Sequence, residues 1–580
     1  MSKLHDYSLV NFHGLDEIGN AFNQYPGLAA RLENFRPEGE KYRKLLGNAL
    51  HSTFGYKLAN RPVTLIRWGK SSSGSWLRYL FMTAFDNVLK WSGSAWNALL
   101  TEADTSLLLP RQTLYYTNNP FDFLVYESPY DGIGTFLYMC DGYNKALKCD
   151  GVNIGTWGLH PISEHGTVTP ITAVETNLGA GGLNSDVKYW ISQYDSTRDL
   201  EGNVGTTSEN LSFAGGPSDA WIYINPITAQ YNAEGNYDFS NPLSDEYRIY
   251  RSPQSVGGAD NRKLLGTILK GVVASAGTIT VTIDAVANPD EGDIVASEAD
   301  AFEDVSVGDC LYYNATAYRV ITKVSGTVLA CIDADGTDFS GAIGAGQSYI
   351  VTAGILDDTD DISANDTYHG DDSTLIDEYQ DHSPPPTTKY CCVMGDSNNR
   401  AFVTGNPDYP SRVYYSRQGY IDYFPADNYF DVDPDSGDEN TGIFVWHGIL
   451  IVTKRKSMAI AYVDGDPYTW RHDSKIIKQG VDDVRQIAFC PNSLCWVNNA
   501  GVWLWSGPGS TPKQISHNSK GSNIALIFEK IVQSELGRSR AIYYPKRNEV
   551  WISVCMDDAR GLYDSTVDGR GGVYLDSGPP

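Results

Sequence analysis

The sequence predicts an all-β chain built around a β-propeller of six to eight blades, and three observations carry that reading. Three stretches far apart look like copies of one hairpin: Leu77–Trp96, Gly134–Trp157 and Ser493–Gly509. Each reads as an apolar strand, a short polar turn, a second apolar strand and a Gly. Such a hairpin buries its faces only when several are stacked or ringed. The composition agrees, because 37 Tyr, 13 Trp and 56 Gly favour many short strands joined by tight turns. Helical periodicity is scarce. It is confined to Glu40–Leu50 and to Ile524–Ser534, whose apolar residues fall at 524, 527, 528, 531 and 532.

Taken in order, residues 1–165 form the N-terminal part of the propeller. Strands are expected at Val63–Trp68, Leu77–Ala84, Leu114–Tyr116, Phe136–Cys140 and Ala146–Lys148. Turns fall at Lys70–Ser75, Asn118–Pro120 and Asp141–Asn144. Residues 166–268 lose the hairpin signature. Val187–Tyr194, Trp221–Asn225 and Asp245–Arg251 read as longer strands, and Tyr247–Tyr250 alternates as a half-buried sandwich strand does. An immunoglobulin-like or fibronectin-III-like sandwich is expected here, resuming over 355–385 and ending near Asp377–Tyr379. Residues 269–354 look inserted. Thr278–Ile283, Cys310–Asn314, Ala317–Val324 and Thr327–Ile332 predict a small acidic barrel. Ser383–Pro386 reads as a stiff linker.

Residues 386–580 return to the opening pattern as the C-terminal part of the propeller. Strands are expected at Arg400–Thr404, Arg412–Ser416, Ile443–Thr453, Met458–Val463, Ser493–Val497, Val502–Trp505, Arg540–Tyr544 and Glu549–Val554. The two hairpin-rich regions total about 360 residues. At roughly 45 residues per blade they give the six to eight blades.

Charge and cysteine usage narrow the function classes. The formal net charge of −27 is unevenly placed: residues 284–378 hold 21 acidic side chains against Arg319 and Lys323, which is −19 and leaves −8 for the rest. Clustered Lys and Arg are what phosphate binding needs, so a general nucleic-acid binder is excluded. An acidic wall lets DNA slide past without holding it, although a solvated face that keeps the protein soluble is the plainer role for the block. The longest apolar run, Ile443–Val452, is about half a membrane span, so no direct membrane insertion is expected. The opening MSKLHDYSLV lacks the apolar centre of a signal peptide, and secretory export is not expected. Nine Cys, with Cys391 and Cys392 adjacent, make a poor disulfide framework and read as reduced, mostly buried strand residues.

Candidate chemistry is thin. Asp431, Asp433, Asp435 and Gly437 resemble the start of a calcium loop, yet the sixth and twelfth positions are Ser436 and Gly442 where Gly and Glu are wanted. Asp333-Ala-Asp335-Gly336 is a weaker match. Asp357, Asp358, Asp360 and Asp361 form an acid run, but glycoside hydrolysis needs carboxylates that converge in space. Lys454-Arg455-Lys456 sits in an expected turn and could touch phosphates or an acidic neighbour. Trp496, Trp503 and Trp505 could stack sugars or bases, but paired in a hairpin they read as core between sheets. No HExxH, Gly-x-Ser-x-Gly or Walker loop occurs. The sequence therefore predicts no catalytic, cofactor-binding or metal site.

Asn399–Phe424, Gly448–Gly465 and Gly480–Gly507 together form a pattern. A strand ends in Tyr-Ser, a second ends before Gly-Asp, and then strand, Gly, aromatic strand and Gly follow. This pattern resembles the propeller-bearing nozzle, or tail-hub and DNA-stabilisation, proteins of short-tailed bacteriophages. Val10–Leu15, Glu33–Arg36 and Asn225–Leu243 with its turn into Tyr247–Tyr250 fit the same resemblance, which spans most of the chain outside 269–354. It implies a structural virion protein without a cofactor, not an enzyme. It further implies a homohexameric ring at the distal end of the tail, assembled in the host cytoplasm. Tail adaptor or portal-side proteins and fibres or spikes would be its neighbours, with DNA retained in and then released through its channel. The alternatives are a carbohydrate-binding adhesive propeller and, further off, a propeller glycosidase.

Overall fold

The computed structural model describes residues 382–394, 399–516, 531–546 and 548–554. It also describes shorter segments between 14 and 357, chiefly 62–72, 75–84, 87–92, 96–100, 121–127, 135–151, 154–159, 171–176, 186–196, 200–203, 209–212, 219–224, 246–252, 263–269, 279–286, 292–296, 305–313, 316–333 and 347–357. Two small pairs come first, β1 (Gly14–Leu15) with β2 (Leu28–Ala29), and β3 (Phe35–Glu38) with β4 (Lys41–Lys44). The helix expected over Glu40–Leu50 is therefore corrected at its start, because Lys41–Lys44 is a strand. Gly39 directly after β3 favours a hairpin turn over a helix start. Residues 45–50 lie outside the described residues.

The three hairpin copies occupy equivalent places: each supplies the second and third strands of a four-stranded antiparallel meander. The first meander is β5 (Pro62–Ser72), β6 (Ser75–Ala84), β7 (Asn87–Trp91) and β8 (Trp96–Leu100). The second is β9 (Asp122–Glu127), β10 (Thr135–Cys140), β11 (Leu147–Cys149) and β12 (Ile154–Thr156). The run FLYMC in β10 is apolar without alternation because both of its faces are covered. Leu137 and Met139 join Ile66, Trp68, Phe81 and Val88 of the first meander. Phe136, Tyr138 and Cys140 face a second cluster that holds Val403 and Phe424.

The sandwich follows. It comprises β13 (Ile171–Thr176), β14 (Val187–Asp195), β15 (Leu200–Glu201), β16 (Glu209–Leu211), β17 (Asp219–Ile224), β18 (Glu246–Arg251) and β19 (Lys263–Leu269). Within it lies a closed six-stranded barrel of β20 (Ile279–Val286), β21 (Gly292–Ala296), β22 (Cys310–Tyr313), β23 (Thr316–Ser325), β24 (Val328–Asp333) and β25 (Gln347–Thr352). The chain then returns to the sandwich as β26 (Gly354–Asp357), which pairs with β17. The sheets β13-β17-β26 and β15-β14-β18-β19 share one core of Ile171, Tyr189, Ile191, Ile222, Tyr247 and Ile249. Gly354 sits where barrel meets sandwich, and a Cβ there would lie 2.3 Å from the Gly308 carbonyl oxygen. Leu114–Tyr116 and Asp377–Tyr379 lie outside the described residues.

Among the described residues, three further meanders and a two-stranded hairpin follow. They are β27 (Tyr390–Met394), β28 (Arg400–Thr404), β29 (Arg412–Tyr415) and β30 (Tyr429–Asp431); β31 (Asn440–Trp446), β32 (Ile449–Lys454), β33 (Met458–Tyr462) and β34 (Arg471–Ile477); β35 (Ile487–Cys490), β36 (Ser493–Asn498), β37 (Gly501–Trp505) and β38 (Lys513–Gln514); and the hairpin β39 (Arg540–Tyr544) and β40 (Glu549–Ser553). The single strand expected over Ile443–Thr453 is corrected to a hairpin, β31 and β32. His447 (φ 48°) and Gly448 (φ 76°) supply the left-handed residues of a two-residue turn. Of Ile524–Ser534, residues up to 530 lie outside the described residues, and its last two enter a 3₁₀ turn, Gln533–Arg538.

The chain divides into two compact units, one of residues 1–56, 409–412 and 431–580, the other of 57–408 and 413–430. In the first, Trp446 packs on Trp505 at 5.5 Å and Phe444 meets Phe489 edge-on at 4.9 Å. Ala488, Cys495 and Val497 meet Tyr543 and Val550 in one cluster. In the second, Ser383–Pro386 is no free linker. The Ser383 carbonyl accepts the Phe424 amide at 2.7 Å, and Pro384 lies against Gly158. The segment is a packed strap because its prolines bury apolar rings without needing hydrogen-bond donors.

Candidate functional site

In the larger unit, buried polar groups meet at the seam where the second meander meets the turn Ile421–Phe424. β11 is buried on both faces, and Lys148 at its centre is buried with it. Its ammonium lies 2.9 Å from both carboxylate oxygens of Asp422 and 4.7 Å from the Phe136 ring centre. Trp157 Nε1 donates to the Ile421 carbonyl at 2.9 Å, and Trp157 meets Phe424 edge-on. Tyr423 turns the other way, towards the sandwich. Its hydroxyl oxygen accepts the Glu201 amide at 2.8 Å, and its ring stacks on His382 at 4.2 Å. The cavity beside Lys148, Asp195 and Tyr423 is about 10 Å³, room for one water and not a substrate.

Inside the sandwich the carboxylates are likewise committed. Arg251 Nη1 bridges both oxygens of Asp357 at 2.8 Å, and the Tyr189 hydroxyl donates to Asp357 at 2.6 Å. Burial, then the neighbouring Asp357, holds the Tyr189 hydroxyl well above its usual range. Glu201 accepts Ser192 Oγ at 2.6 Å and the Tyr250 hydroxyl on one oxygen, and Arg248 Nη1 at 2.6 Å on the other. Of the acid run, Asp357 is thus a buried structural anion, and 358, 360 and 361 lie outside the described residues.

The other sequence candidates resolve as partners or as core. Asp431 pairs with Arg412 at 3.1 Å. The loop that follows encloses the Lys454 ammonium, which is 2.9 Å from the Asp438 carbonyl oxygen. Arg455 pairs with Glu439, and the Lys456 amide donates to Asp438 at 3.0 Å. The calcium-like loop and the basic triplet are each other's partners. Trp496 and Trp505 are fully buried core residues, and the half-buried Trp503 donates to Asn498 Oδ1 at 3.0 Å. Asp333 ends β24, while 335 and 336 lie outside the described residues. Among the described residues no group of three or more His, Cys, Asp or Glu is placed to hold a metal ion, and no helix is long and apolar enough to cross a membrane.

Eight cysteines are described, all free and six of them buried. Sequence reasoning passed over Lys148 and Asp422, although a lone Lys flanked by Leu147 and Cys149 in an apolar strand is a signal that a charge must find a buried partner. At the surface, Tyr468 is 98% exposed on a loop fixed by Asp466, whose carboxylate accepts the Tyr468 amide at 3.0 Å.

The architecture defines an all-β protein of many small antiparallel sheets of about four strands. No protein-family profile matches the chain, and no curated protein does. Among solved structures it is similar to apo AztD from Citrobacter koseri, with 9% identity over 59% of this chain and 97% of that one at a TM-score of 0.17. It is similar to Saccharomyces cerevisiae Sqt1 at 10% identity, covering 74% and 93% with a TM-score of 0.15. It is also similar to the phage phi92 endosialidase at 12% identity, covering 69% and 54% with a TM-score of 0.16. Likenesses this slight carry no argument about topology or activity.

Proposed function

We propose that the chain is a structural virion protein, the nozzle or hub of a short phage tail. Its four-stranded meanders are the blades of a propeller, interrupted by an immunoglobulin-like sandwich that carries the acidic barrel. Copies form a ring, the hexamer that the resemblance implies, whose channel retains and then releases DNA. One observation carries this reading: the hairpin copies recur as the second and third strands of three separate four-stranded meanders. Repeated sheets of this kind make rigid plates with few open edges, and rings arise from head-to-tail contacts between such plates. The buried charges support it, since Lys148 and Asp422 join the second meander to the turn after β29, and Arg251 and Asp357 join the two sheets of the sandwich. Negative-stain imaging of the purified chain and of particles is the test. A closed ring with an axial opening is expected; a monomer at every concentration, absent from particle tails, overturns it.

A second reading has its own observation. The capped 3₁₀ turn presenting Tyr468 suits stacking on a sugar face, as an adhesive propeller would require. Glycan-array binding by the monomer, abolished by Tyr468→Ala, would favour that reading over the nozzle.

A further inference from the structure

Lys454 ends β32 with its side chain buried, 1% exposed. Its ammonium lies 2.9 Å from the Asp438 carbonyl oxygen, 3.2 Å from Ser411 Oγ, 3.4 Å from the Asp433 carbonyl oxygen and 3.5 Å from Ser436 Oγ. Two of these accepting oxygens are peptide carbonyls and two are hydroxyls. A calcium site would use carboxylates at shorter range. Neutral oxygens at ammonium distances are the set that replaces the water shell of a monovalent ion such as K⁺. We infer that loop 433–439, closed by Ser411, is an oxygen cage for a monovalent cation of ammonium size, and that Lys454 fills it as a cation tethered to the chain.

Bonds that do not involve the lysine also hold the cage. Ser436 Oγ donates to the Asp433 carbonyl at 2.7 Å, and Ser411 Oγ donates to the Asp438 carbonyl at 3.3 Å. The Val432 amide bonds the Ser411 carbonyl at 2.9 Å, and the Asn440 amide bonds the Pro410 carbonyl at 2.8 Å. Asp433 holds a left-handed backbone (φ 46°), which turns its carbonyl inward. Asp431, Glu439 and Asp438 are answered outside the cage, by Arg412, Arg455 and the Lys456 amide in turn. Shortening Lys454 leaves fixed carbonyl dipoles around an empty centre, which a free ion of the right size can enter. The inference does not rest on the proposed tail function.

The test compares the full chain with Lys454→Ala and Lys454→Met by thermal midpoint in KCl, NH₄Cl and choline chloride at equal ionic strength. The unaltered chain is expected to show the same midpoint in all three. K454A should fall in choline and recover at least half of its loss in K⁺ and NH₄⁺, while K454M, whose thioether fills the cage, should fall without recovering. A K454A chain indifferent to the cation overturns the inference, and so does rescue by millimolar Ca²⁺ without rescue by K⁺. Should K454A not fold, the double variant Ser411→Ala with Ser436→Ala keeps the lysine and removes two accepting oxygens. Amine acylation at Lys454, located by peptide mass, should then rise about tenfold as the ammonium loosens; an unchanged rate overturns the inference.

Discussion

Lys148 and Asp422 lie 274 residues apart in the sequence and form a buried ion pair, both side chains under one-tenth exposed, with the ammonium 2.9 Å from each carboxylate oxygen. The pair ties β11 of the second meander to the turn after β29. Removing one member strands a buried charge, so Lys148→Met should cost about 3–5 kcal/mol. The double variant Lys148→Met with Asp422→Leu should regain most of that loss, because a well-packed apolar pair avoids desolvating two ions. Chemical denaturation of both variants reads the difference. A double variant no better than the single would show that the pair does more than satisfy itself.

The Arg251–Asp357 pair, with Tyr189 as third member, bridges the two sheets of the sandwich. Tyr189→Phe removes one donor and leaves the carboxylate bridged by arginine, so about 1–2 kcal/mol is expected. Asp357→Ala leaves a buried guanidinium unanswered, and about 3–5 kcal/mol is expected. Hydrogen exchange along β14 and β18 should rise with the second variant and much less with the first.

Asp309 fixes the barrel to the sandwich, its carboxylate accepting the Ser306 amide at 2.7 Å and the Gly354 amide at 3.1 Å. Burial raises its pKa to about 6, against the opposing pull of those two amides. The folded value lies above the unfolded one near 3.9, so the native junction binds the proton more tightly. The junction is therefore strongest at acid pH and weakens as pH rises from about 4 through 6, by roughly 3 kcal/mol at most. Amide exchange at Ser306 and Gly354, corrected for intrinsic rates, should report firmer closure at pH 5 than at pH 7. Asp309→Asn should remove the dependence.

The thiols make a contrasting prediction. Burial pushes the Cys391 and Cys392 thiols well above their usual range and Cys495 up to about 12. Cys490 is partly exposed, and burial raises it less. Since the thiolate is the reacting form, a disulfide reagent on the native protein should label Cys490 before any other described cysteine. Early labelling of Cys391, mapped by peptide mass, would contradict the packing of that cluster.

What the sequence made legible follows from the range of the interactions. Hairpins are local, so turn residues and apolar runs located β6–β7, β10–β11 and β36–β37, and strands such as Arg400–Thr404 and Arg540–Tyr544 were read to the residue. β34 was missed because Arg471-His-Asp-Ser-Lys carries no apolar signal. His447-Gly448 hid inside an apolar run because it lacks the Asn or Asp that usually marks such a turn. The cage was invisible for a different reason. Its loop and its lysine were each noticed, but nothing in a linear pattern says that residues 438 and 454 share a centre.

The acidic barrel allows a direct test of where its charge acts. Ile279 and Val351 are cross-strand partners, so the barrel's first and last strands lie side by side. Residues 279–351 carry 12 acidic side chains against Arg319 and Lys323, a charge of −10. They can be replaced by a two-residue linker without stretching the chain. The main loss is the cover over Trp221, whose Nε1 donates to the Gly308 carbonyl at 2.7 Å and whose ring packs with Cys310 and Ala317. Exposing that ring should cost about 2–3 kcal/mol and shift its fluorescence to the red, while the far-ultraviolet β signal of the rest persists. If the barrel's charge only keeps the protein in solution, the excised chain should assemble as before and precipitate more readily at low salt. If the charge faces passing DNA, particles carrying the excised chain should release DNA more slowly, with the difference fading as salt screens the phosphates. Unchanged release at low salt would remove the barrel from any account of the channel wall.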